Sequence, residues 1–217
     1  VHGWTKALTS SIFKAIYKNK FHCLITLHEY FLVCENGGLY NYKKNSICML
    51  NSNCLKCKII NCDKKNYLFK VYRNIREIRQ KKIIKKLKPS CIYISEFSKK
   101  IIKYRLYFRP HNEYFVSNFI DFDDNIKDRV KVEQNEYYVF MGRLSNEKGL
   151  DIFCESITNI NKKAIVIGDG PLLTKYKNEY SNINFVGWKE GKEKQELLKK
   201  ARAIIVPSKW YETMGLI

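Results

Sequence analysis

Short apolar runs alternate with helical patterns between Tyr137 and Pro207, and this alternation restricts the fold more than any other feature of the chain. The predicted strands cover residues 137–141, 164–167, 183–186 and 203–206, and the predicted helices cover 149–160, 171–180 and 191–202. Strands that alternate with helices of about a dozen residues are typical of a parallel sheet with helices on both faces. The second half of the chain is therefore predicted to be a doubly wound α/β domain.

The first half contains similar elements, separated by longer irregular stretches. Its predicted helices cover 2–20, 67–87 and 96–107, and its predicted strands cover 23–27, 91–95 and 114–119. Residues 121–136 are acidic and polar, which is typical of a linker between domains. The predicted organisation is a first domain at 1–120 with a cysteine-containing insert at 34–65, a linker at 121–136, and a second domain at 137–217.

Glycine-containing turns recur in the second half, and three of them follow predicted strands. The four blocks are G-R-L-S-N-E-K-G at 142–149, I-G-D-G-P at 167–171, N-F-V-G-W at 184–188 and P-S-K-W-Y-E-T-M-G at 207–215. The carboxyl ends of parallel strands share one sheet edge, where ligands bind in α/β folds. Arg143 and Lys148 add positive charge next to a predicted helix start, which favours a phosphate-bearing ligand. The alternative for 142–149 is an ordinary solvated turn.

The turns match neither standard nucleotide motif. Gly168 and Gly170 do not continue as the G-x-G-x-x-G of dehydrogenases, and no G-x-x-x-x-G-K-[ST] loop is present.

The four blocks resemble the C-terminal domain of family 4 retaining glycosyltransferases (glycosyl transferases group 1). V-H-G-W-T-K-A-L, T-L-H-E-Y-F-L-V-C-E-N-G-G and I-Y-I-S-E-F-S-K-K are similar to the acceptor-side domain of this family. The resemblance implies a GT-B fold, with two Rossmann-like domains facing across a cleft, both incomplete in a chain truncated at both ends. It also implies transfer of a sugar from a nucleotide-diphosphate donor, without a catalytic metal or other cofactor, to a glycan or lipid-linked acceptor in surface polysaccharide synthesis.

The resemblance also implies roles for individual residues. Arg143 and Lys148 correspond to the residues that hold the donor diphosphate, and Glu212 corresponds to a glutamate that contacts donor sugar hydroxyls. His28 corresponds to a histidine that points toward the transferred sugar, although a lone histidine beside apolar residues is more often structural. The remaining residues expected at the nucleotide or sugar are Gly142, Gly168, Gly170, Gly187, Trp188, Thr213, Met214 and Gly215. For Trp188 and Trp210, packing in the core is the alternative to ligand stacking.

The sequence departs from many members of the resembled family in the first domain, with His28-Glu29 where many have His-Asp and Cys34-Glu35 where many have Cys-Pro. A cluster of cysteines follows. The thiols of Cys34, Cys48, Cys54 and Cys57 could together supply the four ligands of a structural zinc site. Their spacing is not that of a standard zinc finger, and the alternative is a set of reduced, unliganded thiols.

The chain has 40 Lys and Arg against 21 Asp and Glu, a formal net charge of +19. Such a surplus favours anionic partners without selecting one. We expect a cytoplasmic enzyme with no nucleic-acid partner, and the basic helix at 67–88 suits peripheral contact with anionic lipid at the inner face of the membrane. The alternatives are an ordinary solvated helix, a basic nucleic-acid or membrane-surface binding protein, and an inactive glycosyltransferase remnant.

Overall fold

The computed structural model describes residues 1–5, 9–119 and 132–215. They form two compact units, one of residues 1–119 with 210–215 and the other of residues 132–209. Most of the predicted linker at 121–136 lies outside the described residues. Residues 210–215 belong to the first unit by their contacts, whereas the predicted second domain, 137–217, includes them.

The first unit is built on a parallel sheet of three strands. Its strands are β1 (Leu24–Leu27), β4 (Ser90–Tyr93) and β5 (Glu113–Phe115), in the order β1-β4-β5, and its helices are α1 (Ser11–Lys18), α2 (Leu55–Ile59), α3 (Tyr67–Leu87) and α4 (Glu96–Arg105). The short antiparallel strands β2 (Tyr40–Asn41) and β3 (Ser46–Ile47) lie in the insert at 34–65. The core contains Ile25, Tyr93, Phe13 and Ile102, which are fully buried. Apolar residues from α1, β1, β4 and α4 therefore meet in one core.

The predicted helix over 2–20 is wrong at its start. The helix begins at Ser11, and the main chain of Val1 instead hydrogen-bonds along β1: the amide N–H of Thr26 donates to the carbonyl of Val1 at 3.2 Å. The main chain of Val1 is thus satisfied by β1 and not by a helix, and the helical spacing of apolar residues does not reveal such a competing partner.

Helix α3 buries polar residues and exposes apolar ones. Lys70, Glu77 and Gln80 are 0–2% exposed, whereas Leu68 and Tyr72 are 77% and 63% exposed. Burial of the charged residues is tolerated because they are paired across to the insert. This contact between α3 and the insert was not predicted.

Ion pairs attach the insert to α3, and the buried carboxylate of Glu35 takes part in two ion pairs of this network. The ammonium groups of Lys70 and Lys58 both contact this carboxylate, and Lys58 also bonds Glu77 at 2.5 Å. Lys81, which is largely buried, bonds Glu77 at 2.9 Å. Although α3 is the longest described helix, neither it nor any other helix among the described residues is long and apolar enough to cross a membrane.

The second unit contains a four-stranded parallel sheet in the order β8-β7-β6-β9. Its elements are β6 (Tyr137–Met141), α5 (Leu150–Asn159), β7 (Lys163–Ile167), α6 (Leu173–Glu179), β8 (Asn184–Gly187), α7 (Gly191–Lys199) and β9 (Ala201–Ile204). Val166 packs with Phe153 of α5 in one apolar cluster, and Ile165 packs with Leu197 of α7 in another. Adjacent strand residues point to opposite faces, so both faces of the sheet are covered. The predicted doubly wound sheet is confirmed.

Candidate functional site

Three glycines stand side by side at the carboxyl edge of the second sheet. Gly142 follows β6, Gly168 follows β7 and Gly187 ends β8, and these strands are parallel neighbours. The N–H of Gly142 donates to the carbonyl of Ile167 at 3.0 Å, and the N–H of Gly168 donates to the carbonyl of Gly187 at 2.8 Å. The predicted arrangement of these turns along one sheet edge is confirmed.

Two of the turns approach each other so closely that only glycine fits. A Cβ on Gly168 would lie 1.9 Å from the carbonyl oxygen of Gly142, and a Cβ on Gly170 would lie 2.4 Å from the carbonyl oxygen of Leu144. The φ angles of +140° and +158° are also ones that other residues rarely adopt. The N–H of Leu144 donates to the carbonyl of Asp169 at 2.9 Å, so the turns after β6 and β7 form one hydrogen-bonded surface.

The two predicted diphosphate-binding cations differ in their surroundings. Arg143 is exposed in the turn after β6, and among the described residues its guanidinium has no hydrogen-bond or ion-pair partner. Lys148 is half-buried at the end of a 3₁₀ turn, Asn146–Lys148, and already has an interaction within the protein. Arg143 is therefore the cation whose donors are available to a ligand at this edge.

The turn after β9 is held against the turn after β6. Gly149 has φ +73°, and a Cβ there would lie 2.0 Å from the carbonyl oxygen of Pro207. The N–H of Lys209 donates to the carbonyl of Glu147 at 2.9 Å, and its ammonium group pairs with Asp151. No positioning role was predicted for Gly149 or Lys209. The feature of the sequence that could have indicated this contact is the Lys-Gly pair immediately before α5.

Trp188 is a surface residue, so core packing is the wrong alternative for it. Its side chain is 64% exposed, and its indole N–H donates to Glu190 at 2.8 Å. The preceding Gly187 has φ +74° with open space where a side chain would be. This exposed ring follows the glycine that ends β8, at the same edge as the turns after β6 and β7.

A separate cavity of about 440 Å³ lies in the first unit, where β1 ends. Its lining includes His2, Thr26, His28, Glu29, Thr213 and Met214. The rings of His2 and His28 stack with centroids 5.4 Å apart, and Nδ1 of His2 lies 3.2 Å from Nε2 of His28. One of these nitrogens must donate and the other accept, so the two rings constrain each other's tautomer.

Burial lowers the pKa of His28, and the neighbouring His2 lowers it further, whereas Glu29 raises it. Loss of hydration and a second imidazole both disfavour the imidazolium form. His28 is therefore neutral at neutral pH, and its ring can accept a proton or a hydrogen bond.

The segment at 210–215 is attached to the His28 side of this cavity. The hydroxyl of Thr213 donates to the carbonyl of His28 at 2.8 Å, and the hydroxyl of Ser95 donates to the carbonyl of Thr213. Glu212 accepts from the indole N–H of Trp210 at 2.8 Å, and a side chain on Gly215 would meet open space. The structure thus brings His28, Thr213 and Met214 together at this cavity, and Glu212 is the residue that precedes Thr213 in the sequence.

The four cysteines suggested for zinc do not form a metal site. Within residues 1–5, 9–119 and 132–215, no group of three or more His, Cys, Asp or Glu side chains is arranged to hold a metal ion. Cys54 instead caps α2 by accepting from the N–H of Cys57 at 3.3 Å, and burial raises the pKa of Cys34 to about 12.

Comparisons with known proteins agree with this geometry. Residues 135–217 match the sequence family described as "Glycosyl transferases group 1". The chain is 30% identical over 122 residues to the uncharacterized glycosyltransferase MJ1178 of Methanocaldococcus jannaschii, a match that covers 47% of this chain and 34% of that protein.

Two solved structures share the fold at low sequence identity. The Anabaena Alr3699/HepE complex with UDP-glucose aligns with a TM-score of 0.58 at 13% identity, over 94% of this chain and 51% of that chain. The catalytic domain of Arabidopsis thaliana starch synthase IV, bound to ADP and acarbose, aligns with a TM-score of 0.50 at 12% identity, over 99% and 52%. The chain thus spans about a third of the curated relative and half of these structures. It has the α/β fold of the GT-B glycosyltransferases, and its residues 135–217 match glycosyl transferases group 1.

Proposed function

We propose that this chain is part of a retaining glycosyltransferase of family 4, which transfers a sugar from a nucleotide-diphosphate donor to a glycan or lipid-linked acceptor in surface polysaccharide synthesis. The observation that carries the proposal is the hydrogen-bonded edge formed by the turns after β6, β7 and β8, with the exposed Arg143 in the first of them. The matched family and the complex of Alr3699/HepE with UDP-glucose support a nucleotide sugar as the ligand of that edge.

Arg143 and Lys148 would hold the donor diphosphate. Negative charge grows on the diphosphate as its bond to the anomeric carbon breaks, and fixed cations stabilise that charge in the transition state. A guanidinium suits this role because its planar donors bind two phosphate oxygens at once. Gly142, Gly168, Gly170 and Gly187 would let the donor approach the backbone closely, and Trp188 would stack on the nucleotide.

The first unit would complete the reaction at the sugar. Glu212 would bind donor sugar hydroxyls, Thr213, Met214 and Gly215 would supply backbone contacts, and neutral His28 would face the transferred sugar. In a front-face displacement, the diphosphate leaves with the electron pair of the broken bond. The acceptor oxygen bonds to the same face of the anomeric carbon, which preserves the configuration, and its proton passes to an oxygen of the departing diphosphate.

Donor binding tests this proposal directly. Isothermal titration with UDP, GDP, ADP and UDP-glucose should reveal one diphosphate that binds the wild-type chain, and Arg143→Ala should weaken it by about 10- to 150-fold. This range follows from the roughly 1.5–3 kcal/mol of a hydrogen bond to a charged group. Arg202→Ala is the matched control, because Arg202 is an exposed arginine of β9 beside Lys163 at the amino end of the sheet.

Equal loss of affinity in the two arginine variants would contradict the site assignment. Absence of binding to all four nucleotides, with RNA binding that weakens steeply with salt, would favour the nucleic-acid alternative. Nucleotide binding without sugar transfer, in a protein extended to the length of its relatives, would indicate the inactive remnant. The enzyme is proposed to act in the cytoplasm, in peripheral contact with an anionic membrane surface.

A further inference from the structure

A groove of about 710 Å³ lies between α1 and α3 in the first unit, on a different part of the molecule from the cavity beside His28. Five basic side chains line it: Lys14, Arg76, Arg79, Lys82 and Lys86. Hydroxyl groups line it as well, from Thr5, Thr9, Ser10 and Ser11. No acidic residue lines the groove among the residues that the structure describes.

The positive charge of the groove is not neutralised within the described protein. Helices α1 and α3 contain one acidic residue, Glu77, which is 2% exposed and paired with Lys58 and Lys81 on the buried side of α3. Lys14, Arg79, Lys82 and Lys86 have no ion pair with any described residue. A set of unpaired cations in one groove attracts an anion of several charges.

Other groups in the groove favour an anion with oxygen acceptors. Helix α1 begins at Ser11 with no acidic residue in its first turn, so its N-terminal partial positive charge is not offset. Thr9 and Ser11, at this helix start, are exposed residues, and their hydroxyl oxygens lie 2.8 Å apart. Phosphate oxygens would accept from such donors.

An apolar surface continues from the groove along the same face of α3. At 100° per residue, positions 68, 72, 75, 79, 82 and 86 lie within one narrow stripe of the helix. The first three are Leu68, Tyr72 and Ile75, which are 77%, 63% and 49% exposed, and the last three are Arg79, Lys82 and Lys86. Exposed apolar side chains beside unpaired cations match the two parts of a phospholipid surface, its acyl boundary and its phosphates.

We propose that this groove binds the phosphate head group of an anionic membrane lipid, with Arg79, Lys82 and Lys86 as its principal contacts and Leu68, Tyr72 and Ile75 at the acyl boundary. The inference rests on the membrane contact proposed above and is independent of sugar transfer. Loss of nucleotide binding in Arg143→Ala and loss of lipid binding in groove variants are therefore separate results.

Vesicle co-sedimentation tests the proposal with the 217-residue chain. The chain should bind vesicles of phosphatidylcholine with phosphatidylglycerol and not vesicles of phosphatidylcholine alone. A cation near an anionic surface contributes about 1 kcal/mol, so the Arg79→Gln/Lys82→Gln/Lys86→Gln variant should bind about 100-fold more weakly. These side chains are exposed, and circular dichroism should show an unchanged fold.

A matched control removes the same charge elsewhere. Lys192→Gln/Lys199→Gln/Lys200→Gln changes three exposed lysines of the second unit and should leave vesicle binding within about twofold of the wild type. Equal weakening of both triple variants would overturn the proposal, because only net charge would then matter. The proposal would also be overturned if the Leu68→Ser/Ile75→Ser variant bound the vesicles as tightly as the wild type.

A soluble anion distinguishes lipid from free phosphate. Inorganic pyrophosphate should compete with the vesicles only at high concentration, since it lacks the acyl boundary and the multiple head groups of a surface. Tight pyrophosphate binding that is lost in the groove variant, without vesicle binding by the wild type, would overturn the lipid assignment in favour of a small phosphate ligand.

Discussion

The buried ion pair between Glu35 and Lys70 predicts a large and unequal cost for its two single substitutions. Both side chains are 1% exposed, and the ammonium group contacts the carboxylate directly. Burial alone would lower the pKa of Lys70, but its bond to Glu35 raises that pKa above the usual value. Lys70 therefore remains charged inside the protein and depends on Glu35 for its stability there.

Glu35→Gln should be the more damaging change. It leaves the Lys70 ammonium buried, with the thiol of Cys57 at 4.0 Å and no carboxylate bonded to it. Removing one partner of a buried pair costs about 3–5 kcal/mol. Lys70→Met should cost less, because Lys58 still bonds Glu35 and is 25% exposed.

The double variant Glu35→Gln/Lys70→Met distinguishes pairing from packing. With both charges gone, no buried ion lacks a partner, so the double variant should lose no more stability than Glu35→Gln alone. Urea unfolding gives each free energy, and fluorescence in a Trp188→Phe background reports on the first unit, since Trp4 and Trp210 both belong to it.

Glu136→Gln serves as the comparison at the surface. Glu136 and Lys163 are 69% and 74% exposed and bond at 2.8 Å, and this change should produce no measurable loss in urea unfolding of a chain that keeps Trp188, the tryptophan of the second unit. Two results would refute the reasoning: a cost below about 1 kcal/mol for Glu35→Gln, or single costs that add fully in the double variant.

Three further predictions concern a turn, a core hydrogen bond and a titration. Gly168→Ala should destabilise the second unit by more than about 2 kcal/mol in thermal unfolding, because its Cβ would lie 1.9 Å from the carbonyl oxygen of Gly142, whereas Gly142→Ala meets no atom within 4 Å and should cost less. Gln80→Leu should cost about 1–3 kcal/mol, since the buried indole N–H of Trp4 loses its acceptor at 2.9 Å. His28 should titrate below its ordinary pKa of 6.5 in ¹H–¹⁵N NMR, as burial favours the neutral ring; its contribution to stability is present above pH 6.5 and is lost as the pH falls from there through the lowered pKa of the folded protein.

The central strands β6 and β7 of the second unit were predictable because helices cover both faces of the sheet there, whereas β9 (Ala201–Ile204), with three of its four residues exposed, begins two residues before the predicted strand at 203–206. Such strands read as continuous apolar runs, and the predicted strands at 137–141 and 164–167 differ from β6 and β7 by at most one residue. The glycine turns also followed from sequence, since a glycine directly after an apolar run predicts both the strand end and the turn. The close contact between the turns could not be predicted, because the approach of Gly168 to Gly142 depends on the order of strands in the sheet.

The boundaries of α3 were equally predictable, although its environment was not. Asn66 caps the helix by accepting from the N–H of Phe69 at 3.1 Å, and Pro89 follows Lys88, whose φ of +45° ends the helix. Local signals of this kind are readable in one sequence. The partner of Lys70 is Glu35, which is 35 residues away, and no periodicity in either segment indicates that contact.

Glu35 also explains why only part of the positive charge of α3 is available to a ligand. As a buried acid, Glu35 requires cations, which Lys70 of α3 and Lys58 of α2 supply. Lys70 is held in this ion pair and cannot serve a ligand. Arg79 and Lys82 lie on the opposite, exposed part of the helix without ion pairs to described residues. The formal charge of +19 already subtracts the acidic residues, and the groove between α1 and α3 concentrates an unpaired part of that surplus next to exposed apolar side chains.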